Sequence, residues 1–203
     1  MIANKLFTLV GALILLSSVL LAGPAKSWSL DKAHSSVTFS VKHFFTPTPG
    51  KFDDFDIKIN FDPNDLENSS IDVVIQVASI NTGNDKRDGH LKTADFFDAE
   101  KYPTIIFKSN KIMAKGDNKF VAQGKLKIKE TEKDIELPFT LLGVKELPEE
   151  MSKAMGGIKE VASFNATYTL DRNDYDVGTG SWAATVVIGD EVTIDISVEV
   201  NRK

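Results

Sequence analysis

The residue types that could do chemistry gather in one run, residues 79–103 (SINTGNDKRDGHLKTADFFDAEKYP), where Asp85, Lys86, Arg87, Asp88, His90 and Asp95 precede Phe96, Phe97 and Tyr102. His34 and His43 are the only other histidines. A metal centre would need folding to assemble the three, because none shows the close spacing of a preformed site. The interval between His34 and His43 also puts them on opposite faces of one continuous strand. Acyl transfer would call for a strained nucleophile turn, and the chain has no G-x-S-x-G elbow. Gly178-Thr179-Gly180-Ser181-Trp182-Ala183 matches a dinucleotide fingerprint in letters only; no helix or βαβ unit follows, so it reads as a loop. Without cysteine there are no thiolate ligands, disulfides, thiol nucleophiles or lipid attachment through an N-terminal cysteine. These residues point to no catalytic group, no metal and no cofactor. The other chemistry open to the run is structural. Arg87, Asp88 and His90, with Asp85 and Asp95, can shape a loop by charge-assisted hydrogen bonds, while Phe96, Phe97 and Leu91 fold it over an apolar opening. A solvated loop pinned by two aromatics fits the same residues.

The elements around such a loop read as strands with one wet and one dry face, because apolar residues recur with period two. The dry sets are Val37, Phe39 and Val41 in 36–42, Phe55, Ile57, Ile59 and Phe61 in 54–61, and Ile71, Val73, Ile75 and Val77 in 71–80. They continue with Ile105 and Phe107 in 104–110, Phe120, Ala122, Gly124, Leu126 and Ile128 in 119–129, and Ile135, Leu137, Phe139 and Leu141 in 134–141. Ala162, Phe164, Ala166, Tyr168 and Leu170 in 161–170 and Val192, Ile194, Ile196, Val198 and Val200 in 191–200 complete eight strands. Short polar linkers such as Asp62-Pro63-Asn64-Asp65 imply antiparallel meander pairing. Such strands can form a sandwich or close on themselves, and the lack of an obvious edge-protecting strand favours an eight-stranded antiparallel barrel. Two connections are long: 81–102, and 143–160, where Pro148, Glu149 and Glu150 start a short helix that Gly156-Gly157 ends. Small residues on the dry faces (Ala122, Gly124, Ala162, Ala166) either leave room for a ligand or pack against large neighbours.

The length suits one domain, residues 26–203, behind a leader. Lys5, the apolar stretch 6–21 and Ala22-Gly23-Pro24-Ala25 have the pattern of a secretory signal peptide covering residues 1–25, too short and too Ser-containing for a retained anchor. The mature chain is then expected outside the cytoplasm, with no stable membrane insertion. A net charge of −5 argues against nucleic acid and gives no overall attraction to an anionic membrane.

The run at 79–103 closely resembles the YceI-like family of secreted bacterial lipid-binding proteins. The carrying residues are Ser79-Ile80-Asn81-Thr82, Arg87-Asp88-x-His90-Leu91, Asp95-Phe96-Phe97-Asp98 and Lys101-Tyr102-Pro103. Trp28-x-Leu30-Asp31-x-x-His34-Ser35, His43, Gly50-x-Phe52, Gly124-x-Leu126 and Arg172-Asn173-Asp174-Tyr175 add weaker matches in the expected order. Two places depart from the family: the turn after Ile128 is Glu130-Thr131-Glu132-Lys133, and Asp176 separates Tyr175 from Val177-Gly178.

The resemblance implies a lipocalin-like barrel whose apolar interior takes a long isoprenoid or related lipid, a periplasmic location and often a homodimer. The expected lining and rim are then Val37, Phe39, Val41, Phe55, Ile57, Ile59, Ile75, Leu91, Phe96, Phe97, Ile105, Phe107, Ala122, Leu126, Leu137, Phe139, Phe164, Ala166, Tyr168, Ile194 and Ile196, with His34, His43, Arg87 and His90 as polar rim groups. The leading expectation is non-catalytic binding, transport or storage of a polyisoprenoid, an isoprenoid quinone or a similar amphiphile. The alternatives are a periplasmic enzyme or metal-dependent factor using His34, His43 and His90, and a stress-response module with a filled barrel.

Overall fold

The computed structural model describes residues 27–182 and 187–203. The leader expected at 1–25, and Ala183 of the glycine-rich run, lie outside the described residues. Among the described residues the chain forms ten strand segments and two α-helices. The strands are β1 (Ser27–His43), β2 (Thr46–Phe52), β3 (Phe55–Asn60), β4 (Ser70–Gln76), β5 (Ile80–Asn81), β6 (Thr104–Gly116), β7 (Lys119–Ile128), β8 (Thr131–Glu146), β9 (Glu160–Asp171) and β10 (Ile188–Arg202). The helices are α1 (Asp85–Leu91) and α2 (Glu149–Ala154).

Neighbouring strands pair antiparallel, and β10 bonds to β1 as well as β9, from Ser29↔Asn201 to His43↔Ile188, which closes the sheet into a barrel. The ten segments make eight staves because two staves are broken. β2 and β3 both lie along β1, offset at Asp53-Asp54. β4 and β5 lie along β3 and β2 in turn, with a 3₁₀ turn at Val77–Ser79 between them. The single strand expected over 71–80 is therefore bent. β2 has no counterpart in the alternating runs, because TPTPGKF carries two prolines and almost no apolar alternation. Pro47 and Pro49 are tolerated because β5 bonds only Lys51 and Phe52, so the rest of β2 is an edge.

One end of the barrel is filled by rings. Phe61 meets Phe120, Phe139 and Phe164 edge-on at centroid distances of 5.0, 5.7 and 5.5 Å, and Phe120 stacks on Phe139 at 5.4 Å. Trp28 donates from its indole N–H to the Phe61 carbonyl at 3.1 Å, which ties the start of β1 to this plug. Two of the small dry-face residues are closely packed. Ala122 is fully buried opposite Ile112 and Leu137. A Cβ on Gly124 would stand 2.2 Å from the Lys108 carbonyl oxygen, at the point where β6 bulges.

Candidate functional site

The other end is open. There the interior widens into a cavity of about 500 Å³, walled by the end of β1, β2, the start of β10, the end of β9 and residues 80–97. Phe39 and Val41 on β1, Ile105 on β6 and Ile194 on β10 face it, with Leu91, Phe96 and Phe97 from the long connection. Of the expected rim groups, His43, Arg87 and His90 border the cavity. Val37, Phe55, Ile57, Ile59, Ile75, Phe107, Leu126 and Leu137 are buried in the core and do not border it, and Phe139 and Phe164 belong to the plug. Ala122, Ala166, Tyr168 and Ile196 do not border it either. Period-two alternation tells inward from outward, and every inward residue satisfies it at any depth along a stave.

His34 lies away from the cavity, in the bulge of β1 between Asp31 and Ser36. Its Nδ1 is 3.1 Å from Asp31 and 3.7 Å from Glu199, and ligand atoms of the three residues lie within 4.8 Å of one another. The Asp31 hydrogen bond, followed by the charges of Asp31 and Glu199, raises the His34 pKa, and the same bond lowers that of Asp31. Ser35 holds the bulge by donating to the Asp31 carbonyl and accepting from the Glu199 N–H. The three histidines do not converge: His34 pairs with Asp31, His90 with Asp95, and His43 packs edge-on against Phe44.

The charged run folds as α1 and the turn after it. Asn84 caps the helix by accepting from the Arg87 N–H, and Asp88 is buried, accepting from both the N–H and the hydroxyl of Thr82. Arg87 returns to the same residue, donating to the Thr82 hydroxyl at 2.7 Å and carbonyl at 2.8 Å. His90 pairs with Asp95 at 3.0 Å, its ring held edge-on between Phe96 and Trp182. These charges are spent on holding a segment that stands in for a stave beyond β5. The Phe97 ring meets Phe52 of β2, and the Val77 N–H donates to the Pro103 carbonyl. Gly50, opposite Phe39, leaves room for the Phe39 ring, which a Cβ there would meet at 2.3 Å.

Three cavity residues carry no periodic signal. Arg172, buried in the 3₁₀ turn after β9, donates to the carbonyls of Gly189, Val177, Gly178 and Trp182 and so fastens the loop 172–182 to β10. Gly178 sits at φ +74°, where a Cβ would collide with the Arg172 guanidinium and the Phe96 ring. Tyr175 is 2% exposed, and burial first of all pushes its phenol up to about 12. Trp182 closes the side wall against Phe96. The motif Arg172-Asn173-Asp174-Tyr175 is the sequence signal for the first two, without a role attached.

Both departures from the family pattern have a local explanation. β7 and β8 meet in a two-residue turn with Lys129 at φ +55°, and Glu130 accepts from Tyr102 and Lys101, tying the long connection to that turn. Asp176 takes the left-handed conformation that ends the 3₁₀ turn.

Residues 28–200 match the YceI-like domain. A UPF0312 protein of Staphylococcus aureus is 31% identical over 176 residues, covering 85% of this chain and 96% of its own; one of Vibrio vulnificus is likewise 31% identical, with 84% and 89% covered. Among solved structures, Burkholderia cenocepacia BcnA superposes with a TM-score of 0.74 at 29% identity, covering 84% of this chain and 99% of its own. The Campylobacter jejuni YCEI protein does so with 0.66 at 34%, covering 88% and 99%. A polyisoprenoid binding domain from Saccharophagus degradans shares the fold at 16% identity, with a TM-score of 0.63 and 87% and 98% covered. The chain belongs to the YceI-like domain family.

Proposed function

We propose that this protein binds a long apolar lipid, such as a polyisoprenoid or isoprenoid quinone, without catalysis, carrying or storing it in the periplasm after removal of residues 1–25. The observation that carries this reading is the cavity of about 500 Å³ walled by Phe39, Val41, Phe52, Phe97, Val192 and Ile194 at one end of a barrel plugged at the other. Each CH₂ moved from water into such a wall is worth about 0.8 kcal/mol, so chain length alone supplies affinity. The non-catalytic part is supported by how the polar groups at the cavity are used. Arg87 and Asp88 bind Thr82, His90 binds Asp95, and Arg172 is taken up by backbone carbonyls. Residues 81–102 act as a gate in this reading, its shape held by charges and its inner face supplied by Leu91, Phe96 and Phe97. The periplasmic location rests on the leader pattern; no helix among the described residues is long and apolar enough to cross a membrane.

The test is organic extraction of the purified protein followed by mass spectrometry, with Trp182 fluorescence followed on adding farnesol. A co-extracted lipid and a saturable fluorescence change are the expected results. An empty extract together with no response to farnesol refutes the reading.

A further inference from the structure

The strands that frame the cavity mouth, β1 and β2, are joined by a turn made of Phe44 and Phe45, which are 51% and 93% exposed. The turn sits at the mouth because Val41, Lys42 and His43 before it and Thr48 after it all border the cavity. Two-residue hairpin turns favour Asn or Gly where φ is positive. Here Phe44 takes φ +53°, held by its N–H donating to the Val187 carbonyl at 2.7 Å. A bulky aromatic in the left-handed region beside a second one in water is locally unfavourable on both counts, which marks a surface that is covered in use.

The charged side chains that line the cavity beside it are all of one sign. Lys42, His43, Lys86, Arg87, His90 and Arg172 border the cavity, and no Asp or Glu does so among the described residues, in a chain of net charge −5. Asp95 and Asp190, the nearest acids bonded to this set, are paired with His90 and Arg172. Lys42 and Lys86 have no ion-pair partner among the described residues. Exposed aromatics at a cavity mouth that also carries lysines fit the boundary of an anionic bilayer, where the rings enter the headgroup region and the cations meet acidic lipids. A second copy of the chain fits less well, because the adjoining edge of β2 carries Pro47 and Pro49, which block strand addition.

We infer that the Phe44-Phe45 turn docks the open end of the barrel on an anionic lipid bilayer, so that lipid passes between membrane and cavity without crossing water. This rests on the lipid-binding reading above. The experiment is sedimentation of the purified protein with vesicles of phosphatidylcholine, with and without phosphatidylglycerol, alongside farnesol titration read by Trp182 fluorescence. The protein should partition onto the phosphatidylglycerol vesicles and be released by salt. Phe44→Ser with Phe45→Ser should lower partitioning by about tenfold or more, given the transfer free energy of two phenylalanine side chains, with the farnesol response retained. Phe45→Ser alone, at a position exposed enough to leave the fold untouched, should give part of that loss. Lys42→Gln with Lys86→Gln should remove the preference for phosphatidylglycerol. Partitioning unchanged by the phenylalanine variants overturns the docking while leaving lipid binding in place. Wild-type protein that ignores vesicles but self-associates through Phe45 overturns it in favour of a second copy. A wild type that ignores farnesol as well removes the lipid reading itself.

Discussion

The two ends of this barrel are built from the same alternating strands and come to opposite results. At the Trp28 end, Phe61, Phe120, Phe139 and Phe164 interlock ring against ring, with Phe61 and Phe164 also bordering a second cavity beside Trp28. At the other end Phe39, Phe52 and Phe97 line the wall and leave the centre empty. The difference lies in what continues the staves. At the plugged end strand pairing runs on, and the small residues Ala122 and Ala162 are fully buried. At the open end the stave of β4 and β5 stops, and residues 82–103 take the place of the next one. A segment held by its own hydrogen bonds keeps the wall in place without filling the lumen. Stability resides in one end and capacity in the other.

That contrast can be broken in several ways, the largest first. Phe61→Ala should cost about 3–5 kcal/mol in chemical denaturation because it empties the plug, while Val41→Ala, half-buried on a wall that already faces a void, should cost under about 1.5 kcal/mol. Equal losses would mean that the two ends are equally packed. In the reverse direction, Ala122→Phe should overpack the plug at about 1–3 kcal/mol. Val192→Phe should instead intrude on the cavity, cutting farnesol uptake with the denaturation midpoint retained.

Within the open end, Phe96→Ala with Phe97→Ala should speed release of a fluorescent prenyl analogue, and His90→Ala should weaken its binding only modestly, since a hydrogen bond is worth about 1 kcal/mol net. A loss of chemical turnover in His90→Ala with binding intact would replace the gate by an enzyme.

The smallest effect is in pH, outside the cavity. The raised pKa of His34 means that its contribution to stability is complete below the ordinary value of 6.5 and fades as pH rises through the raised folded value. The lowered pKa of Asp31 means that its contribution is present above 3.8 and fades as pH falls through the folded value. The pair should favour the fold between those limits, and His34→Gln should flatten the decline of the denaturation midpoint above pH 6.5. His34 is exposed and Asp31 only half-buried, so the slope should be shallow and reduced further by salt.

Period-two patterning makes most of the barrel legible in the sequence, because each stave must turn alternate residues inward whatever it pairs with. The short helix α2 is legible from Pro148 and Gly156-Gly157. β2 is hidden because its place depends on an unpaired edge that excuses Pro47 and Pro49, and the break at Val77–Ser79 is hidden because the alternation runs straight through it. The aromatics of the long connection fit either a cover or a solvated loop in the sequence, and only the fold shows that Leu91, Phe96 and Phe97 border the cavity.

By itself, the sequence determined the fold class, the inward faces and the absence of thiol chemistry, all of which depend on residue type and local period. Only the tertiary structure decided the depth at which each inward residue sits. That depth separated Phe139 in the plug from Phe39 at the cavity, and set His34 apart from His43 and His90. It also brought Arg172, Tyr175 and Trp182 to the wall, because a guanidinium that gathers carbonyls from five separate residues has no local pattern to announce it. Inward or outward is a property of one strand, whereas depth is set by stagger and closure across every strand of the barrel.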